Sequence, residues 1–427
     1  MIRRFAPLLL LGLLEGGCHS RTQSPGDPGP DPSTAANFCD LPGSRRFTAE
    51  GVTQIPGGPA PDSLTFLTLP PGFCAHPFAN VGNTRQLRFA PGGELFVASP
   101  TTGTTGGGRN GLSAIVVLTD DDRDGVAEGP ITFLGNLPST QGLLFTSEHF
   151  YYQDATRILR MPYAKSQRAP SDSSEPVADI TIYSSSLHWP KALDQSEDGT
   201  IYVANGSEQG EDCDPSRPFR GGILELDGSP GGKPVMRGFR NPIAVRCQRG
   251  HGRCFALELA MDYSALIGGR EKLVPISEGD DIGFPCCYTR DRPAEKVTPV
   301  PDCSNVMPED VSFMIGDTPF GLDFEPGKWK APFKQSVFVA LHGEAGTWKA
   351  ARVVAIDVDP ASGLPMASTT LVSQVGGLRE FASGWDDGTR AHGRPAAVTF
   401  AEDGRLFIGN DNDGSIFWVA PLDLKRQ

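Results

Sequence analysis

The chain contains no CxxC pair, no cluster of basic residues and, beyond its first residues, no long hydrophobic run. Each absence excludes something. Without paired cysteines at metal spacing a zinc centre is not expected. With 38 Lys and Arg against 51 Asp and Glu, the net charge of −13 makes nucleic acid a poor partner, and the acidity reads first as solubility. No long helical period bounded by caps occurs. Helices are therefore not the organising element, and the 51 Gly and 38 Pro fit a turn-rich all-β chain instead.

The one sustained apolar run, Phe5 to Leu14, follows the basic Met1-Ile2-Arg3-Arg4. It is shorter than the roughly 20 residues a membrane span needs, and it reads as an export signal. Small residues, Gly16-Gly17, precede Cys18, as in a bacterial lipoprotein cleavage box, although Glu15 replaces the usual aliphatic residue. The expectation is a signal over 1–18, lipid attachment at Cys18 and a surface or periplasm-facing location, with plain secretion as the alternative. Residues 19–37 are rich in Pro, Gly and Ser and read as a disordered tether. The folded domain is expected over 38–427.

Export permits disulfides. Setting Cys18 aside leaves Cys39, Cys74, Cys213, Cys247, Cys254, Cys286, Cys287 and Cys303, an even set. Cys247 and Cys254 flank a hairpin tip and are expected to pair. Adjacent Cys286 and Cys287 cannot easily face one way, so one is expected on Cys303 and the other on a distant partner such as Cys213. Cys39 with Cys74 takes the remainder.

What is abundant is a repeated turn. APGGELFVAS (90–99), SEDGTIYVANG (196–206) and AEDGRLFIGN (401–410) each set Gly-Gly or Asp-Gly before an alternating apolar run. Weaker copies begin at Gly142, Ile243 and Phe320. Six such units predict a six-bladed β-propeller of four-stranded antiparallel blades, with a strand near Ser63 to Leu69 closing the ring against Ile416 to Val419.

Polar residues stand just ahead of the proposed inner strands: Gln141 in TQGLLF, His188 in LHWPKAL, Arg240 and Asn241 in RGFRNP, and Arg394 in AHGRPAAVTF. In a propeller such positions converge on the channel mouth. These stretches, with LPPGF (69–73) and GDDIGFP (279–285), resemble the glucose/sorbosone dehydrogenase family of secreted six-bladed propellers, several of which use pyrroloquinoline quinone (PQQ). The resemblance spans about residues 64–420. It implies PQQ-dependent oxidation of an aldose at C1, with His188 as general base and Gln141 contacting cofactor and substrate. It also implies that Arg240 and Asn241 lie beside the quinone, that Arg394 binds a quinone carboxylate, and that His342 stands where relatives carry Lys or His. The chemistry is coherent. Planar guanidinium groups grip carboxylates, a neutral His accepts a hydroxyl proton, and Ca²⁺ would polarise the quinone.

Two departures stand out. Lys191 replaces a family Gly, and ALELAMDYSALIGG (256–269) offers Glu258 and Asp262 where sugar dehydrogenases carry Ca²⁺-binding carbonyls. The competing readings are a non-catalytic envelope propeller that binds a saccharide or protein, and a metal-dependent lactonase-like propeller. Separately, DDDRDGVAE places Asp120, Asp122 and Asp124 at the first, third and fifth positions of a Ca²⁺ loop, with Glu128 at the ninth. The bidentate Glu of such loops is absent, since Ile131 stands in its place. A solvated acidic turn is the alternative.

Overall fold

The computed structural model describes residues 31–58, 63–100, 113–180, 188–207, 212–214, 219–260, 270–295, 297–308, 311–344, 349–366, 378–386 and 392–426. The signal, Cys18 and most of the tether lie outside them.

The repeated turn is the seed of each blade. Ala90, Ser196 and Ala401 each donate their amide across the hairpin, to Glu94, Thr200 and Arg405, at 2.8–2.9 Å. Gly93, Gly199 and Gly404 then close the same inner turn at φ of 95°, 94° and 97°, a left-handed conformation that explains the Gly. Each hairpin joins the two innermost strands of a blade. The innermost strands are Gln86–Phe89, Leu143–Phe145, Leu193–Gln195, Asn241–Gln248, Pro319–Phe324 and Pro395–Phe400. Six antiparallel sheets result: four pass outward through four consecutive strands, the fourth blade takes Val311–Met314 as its outer strand after a small separate hairpin, and the last takes its outer strand from the N-terminal part of the chain, while neighbouring innermost strands touch around a closed ring. The blade faces bury Val, Ile, Leu and Phe against one another, as radial packing demands.

The closing strand differs from expectation. Phe73–Asn80 pairs antiparallel with Ser415–Pro421 to complete the last blade. Ser63 to Leu69 instead begins as a turn and packs on the fifth blade, with a bridge from Thr68 to Ser383 and Leu64, Leu67 and Leu69 buried in one cluster with Phe338 and Phe381. Phe73–Asn80 carries a Pro and a buried His, a pattern that does not read as a strand. The pairing shifts register between Ile416 and Phe417, opposite Pro77, and His76 stacks flat on Trp418 at 4.9 Å. A hairpin of Arg45–Thr48 and Gly51–Gln54 widens this sheet to six strands. Residues 31–37, assigned to the tether from composition, also contact the propeller. Asn37 bridges Lys425, and Arg426 Nη1 donates to the Pro32 and Ala35 carbonyls.

The cysteines pair as Cys39–Cys74, Cys213–Cys286, Cys247–Cys254 and Cys287–Cys303. The first ties the N-terminal segment to the closing strand.

A charged belt binds the blades at the axis. Arg246 of the fourth blade grips Asp323 of the fifth in a two-pronged pair of 2.6 and 2.7 Å. Asp323 also accepts from Thr399 Oγ1 and the Phe400 amide of the sixth blade. Arg88 of the first blade reaches the Leu143 and Leu193 carbonyls and lies 3.4 Å from Asp194. Removing Asp323 leaves the largely buried Arg246 without its main partner and the Phe400 amide without its acceptor. Asp323→Ala is therefore expected to lower stability by about 3–5 kcal/mol in denaturant unfolding.

Candidate functional site

Antiparallel pairing fixes where the singled-out residues stand. The start of every innermost strand lies beside the end of its neighbour: Gln86 opposite Ala98, Asn241 opposite Leu259, Pro319 opposite Leu341, Pro395 opposite Asn410. Residues just before innermost strands and just after second strands therefore share one end of the propeller. Gln141, His188, Arg240, Asn241, His342 and Arg394 all occupy such positions. In three blades a Pro stands first or second in the innermost strand and a bulge follows it, after Pro242, Pro319 and Pro395. Bulges at this point turn side chains toward the mouth.

His188 is buried. Its Nδ1 lies 3.0 Å from the Ser207 carbonyl oxygen and 3.3 Å from Ser207 Oγ. Only a protonated Nδ1 can satisfy a carbonyl, so in the neutral ring it is Nε2 that carries the lone pair. Gly206 backs the ring: a Cβ there would stand 2.6 Å from His188 Cβ. The Ser207 amide in turn donates to the Arg240 carbonyl at 2.7 Å, which joins the third blade's mouth to the fourth's.

The RGFRNP loop is held by GDDIGFP. Arg237 N donates to Asp280 O at 3.0 Å, Ile282 N to Arg237 O at 3.1 Å and Phe284 N to Gly238 O at 2.9 Å, while Arg237 Nε pairs with Asp281 at 2.8 Å. Two stretches far apart in sequence thus form one support. Beneath it Glu258 Oε1 accepts the Arg240 amide at 2.9 Å. Burial pushes Glu258 up to about 7, against the Arg240 hydrogen bond and the charge of Lys272. Its Oε2 and Asn241 Oδ1 are buried with no hydrogen-bond partner among the described residues. Asp262 lies outside those residues.

Gln141 donates Nε2 across the axis to the Ile243 carbonyl at 2.9 Å, and its buried Oε1 has no partner among the described residues. It lines an axial cavity with Arg85, Ile243 and Phe320.

On the other side of the mouth stands a cluster that sequence reading found only in part. Arg394 holds Asp411 through Nε at 2.7 Å and Nη2 at 3.0 Å. Arg85 Nε lies 3.6 Å from the same carboxylate and its guanidinium covers the Phe320 ring at 4.6 Å. His342 stacks on Phe320 at 3.9 Å, with Nε2 3.5 Å from Asp411. Burial, then Arg394, pushes His342 well below its usual value, so it is neutral. Burial also opposes the Asp411 charge, but His342, Arg85 and Arg394 together hold it down at about 2. With His342 neutral, the two guanidinium groups keep Asp411 ionised. Arg85 falls to about 10 by burial and remains a cation. Arg85 and Asp411 were missed because each sits in a turn with no motif around it. Their position before the first innermost strand and after the sixth blade's second strand was the available signal.

The acidic loop lies between the third and fourth strands of the first blade, at the opposite end. Asp120, Asp122 and Asp124 each present an oxygen within 4.8 Å of the others. Glu128 does not join them. Its Oε1 caps the Asp121 and Asp122 amides and its Oε2 accepts from Thr119 Oγ1.

Lys191, three residues after His188, is fully buried, and its Nζ has no hydrogen-bond partner among the described residues. Burial pushes the amine down to about 7. Between there and the ordinary value of about 10.4 the unfolded chain holds a proton that the folded chain lacks. Stability therefore rises with pH across this window, by up to about 1.4 kcal/mol per pH unit, while below about pH 7 the full cost of a buried ammonium remains. Lys191→Met is expected to be more stable than the parent near neutrality. The advantage should shrink to nothing above about pH 10 in denaturant unfolding followed against pH.

No protein-family model matches the chain, and no curated protein matches it. Solved structures do. The calcium structure of a family AA12 carbohydrate-active enzyme from Trichoderma reesei superposes with a TM-score of 0.68 at 16% identity, over 83% of this chain and 97% of that one. The holo PQQ domain of pyranose dehydrogenase from Coprinopsis cinerea gives 0.65 at 15% identity, over 84% and 97%. PQQ-bound aldose sugar dehydrogenase from Streptomyces coelicolor gives 0.51 at 17%, over 83% and 100%. At these identities the likeness is one of architecture: the chain has the six-bladed propeller fold that sugar dehydrogenases using PQQ also have.

Proposed function

We propose that this protein is an exported, PQQ-dependent sugar oxidoreductase that oxidises an aldose at C1. The observation that carries the reading is His188. Its Nδ1 is committed to the Ser207 carbonyl, so Nε2 is the proton-accepting nitrogen, at the same channel end as the arginine cluster. The donor set suits the cofactor. Arg85 and Arg394 are the cationic groups that would hold its carboxylates, and Asp411 keeps Arg394 oriented. The buried, unpartnered Gln141 Oε1 and Asn241 Oδ1 are acceptors of the kind a polar ligand satisfies. When bound, PQQ supplies a two-electron acceptor for the hydride leaving C1. His188 Nε2 takes the C1 hydroxyl proton, and Ser207 holds the resulting imidazolium through its carbonyl. Gln141 Oε1 orients a sugar hydroxyl. Four disulfides support an oxidising, exported setting, with attachment through Cys18. The acceptor that reoxidises the cofactor is left open.

The test is reconstitution with PQQ and Ca²⁺, then dye reduction by a panel of aldoses. His188→Ala should lower kcat by about 10²-fold or more with folding intact. Arg394→Ala should weaken PQQ binding in an absorbance titration. If no aldose is turned over, yet parent and His188→Ala bind a saccharide equally well, the protein is a binding module instead.

Ca²⁺ has a structural place in this proposal at Asp120, Asp122 and Asp124. The spacing of their oxygens suits an ion bound at about 2.3–2.6 Å. Added Ca²⁺ should raise the melting temperature and chelator should lower it, and Asp122→Asn should abolish both responses. An identical melting temperature with and without Ca²⁺ leaves the plain acidic turn.

A further inference from the structure

Gln153 is the last residue but one of the second strand of the second blade, His149–Asp154, and is fully buried. Its Oε1 accepts from the Gln141 amide at 3.1 Å, the Gly142 amide at 3.5 Å and the Lys191 amide at 3.0 Å. Its Nε2 donates to the Ala155 carbonyl at 2.9 Å and to the Trp189 carbonyl at 2.8 Å. Only this orientation of the amide satisfies all five backbone groups, because three of them are donors and two are acceptors.

These backbone groups belong to the two segments that carry the proposed site. One holds Gln141. The other is the short link between His188 and the third blade's innermost strand. The segments are in direct contact: a Cβ on Gly142 would stand 1.9 Å from the Lys191 carbonyl oxygen. Neither segment is in a ladder at this point, so ordinary strand pairing cannot fix their spacing. Gln153 takes over that task with one side chain. On the far side His188 is stopped by Gly206 and Ser207. The imidazole therefore sits between a backstop from its own blade and a clamp from the preceding one.

We infer that Gln153 is the positioning residue that sets Gln141 and His188 in register with each other across the junction of the second and third blades. The inference rests on the proposed role of His188 for its kinetic consequence, but not for its structural one. A leucine at 153 keeps the bulk and removes all five hydrogen bonds. A glutamate keeps the acceptor and, when ionised, sets a negative oxygen against the Trp189 and Ala155 carbonyls.

The experiment measures both variants by imidazole nitrogen NMR, with His188→Ala identifying the His188 signals, and by steady-state kinetics on the reconstituted protein. Both should lose the single Nδ1-protonated pattern of His188, while the His342 signals stay as in the parent. Turnover should fall by about 10²-fold in kcat, the scale of a misplacement near 1 Å, with KM changed only a few-fold. His188 signals that superimpose on the parent's in both variants would overturn the inference, whatever the kinetics. If the parent proves to have no turnover, the dehydrogenase reading fails and the NMR result alone decides. If Gln153→Leu does not fold, Gln153→Glu decides in the same way.

Discussion

Closure of the ring is the constraint from which everything else follows. Six blades can bury both faces only if the last meets the first, and the last blade is built from both ends of the chain. Phe73–Asn80 supplies its outer strand, and Cys39–Cys74 staples the N-terminal segment to that strand. A cross-link spanning 35 residues removes about 3–4 kcal/mol of freedom from the unfolded chain on the loop-entropy account. The site inherits the benefit. Its residues come from all six blades, so their spacing is as rigid as the ring and no more.

Charge is layered along the axis. The belt of Arg88, Asp194, Arg246 and Asp323 pairs two guanidinium groups with two carboxyl groups, of which burial pushes Asp194 up to about 7, and its contacts reach every blade. Above it the Arg85, Arg394, His342 and Asp411 cluster sets two guanidinium groups against one carboxylate. Balanced pairs in the belt suit a structural plug, because buried ions are tolerated when matched. The mouth is the place where a ligand's own charge could matter.

Much of the fold was legible because its signals are local. The Asp-Gly and Gly-Gly turns demand a left-handed Gly at one position, and that demand recurs with each copy. The channel end was legible for a related reason: a polar residue just ahead of a strand start has few other places to point. The closing strand was not legible, since a strand that tolerates Pro77 and buries His76 against the Pro42 and Pro77 carbonyls is defined by its neighbours rather than by alternation. Gln153 and Asp411 were hidden for the same reason. Each sits at or just past a strand end, and most of its partners stand a dozen or more positions away in the chain.

Architecture and site do not carry the same information. Radial packing asks only for apolar residues of suitable size at alternating positions, so the fold survives at 15–17% identity. The mouth asks for particular atoms. Here Lys191 and Glu258 give it a character that the fold alone would not foretell. Burial drives both toward neutrality, the amine downward and the carboxyl upward, each to about 7. The mouth is thereby poorer in charge than its sequence suggests, and its firm charges include those of Arg85, Arg240, Arg394 and Asp411. A ligand entering it would meet the unpartnered acceptors of Gln141 and Asn241 on one side and the guanidinium groups of Arg85 and Arg394 on the other. Under the proposed function, an anionic planar cofactor beside a neutral polyhydroxylated substrate would match that division.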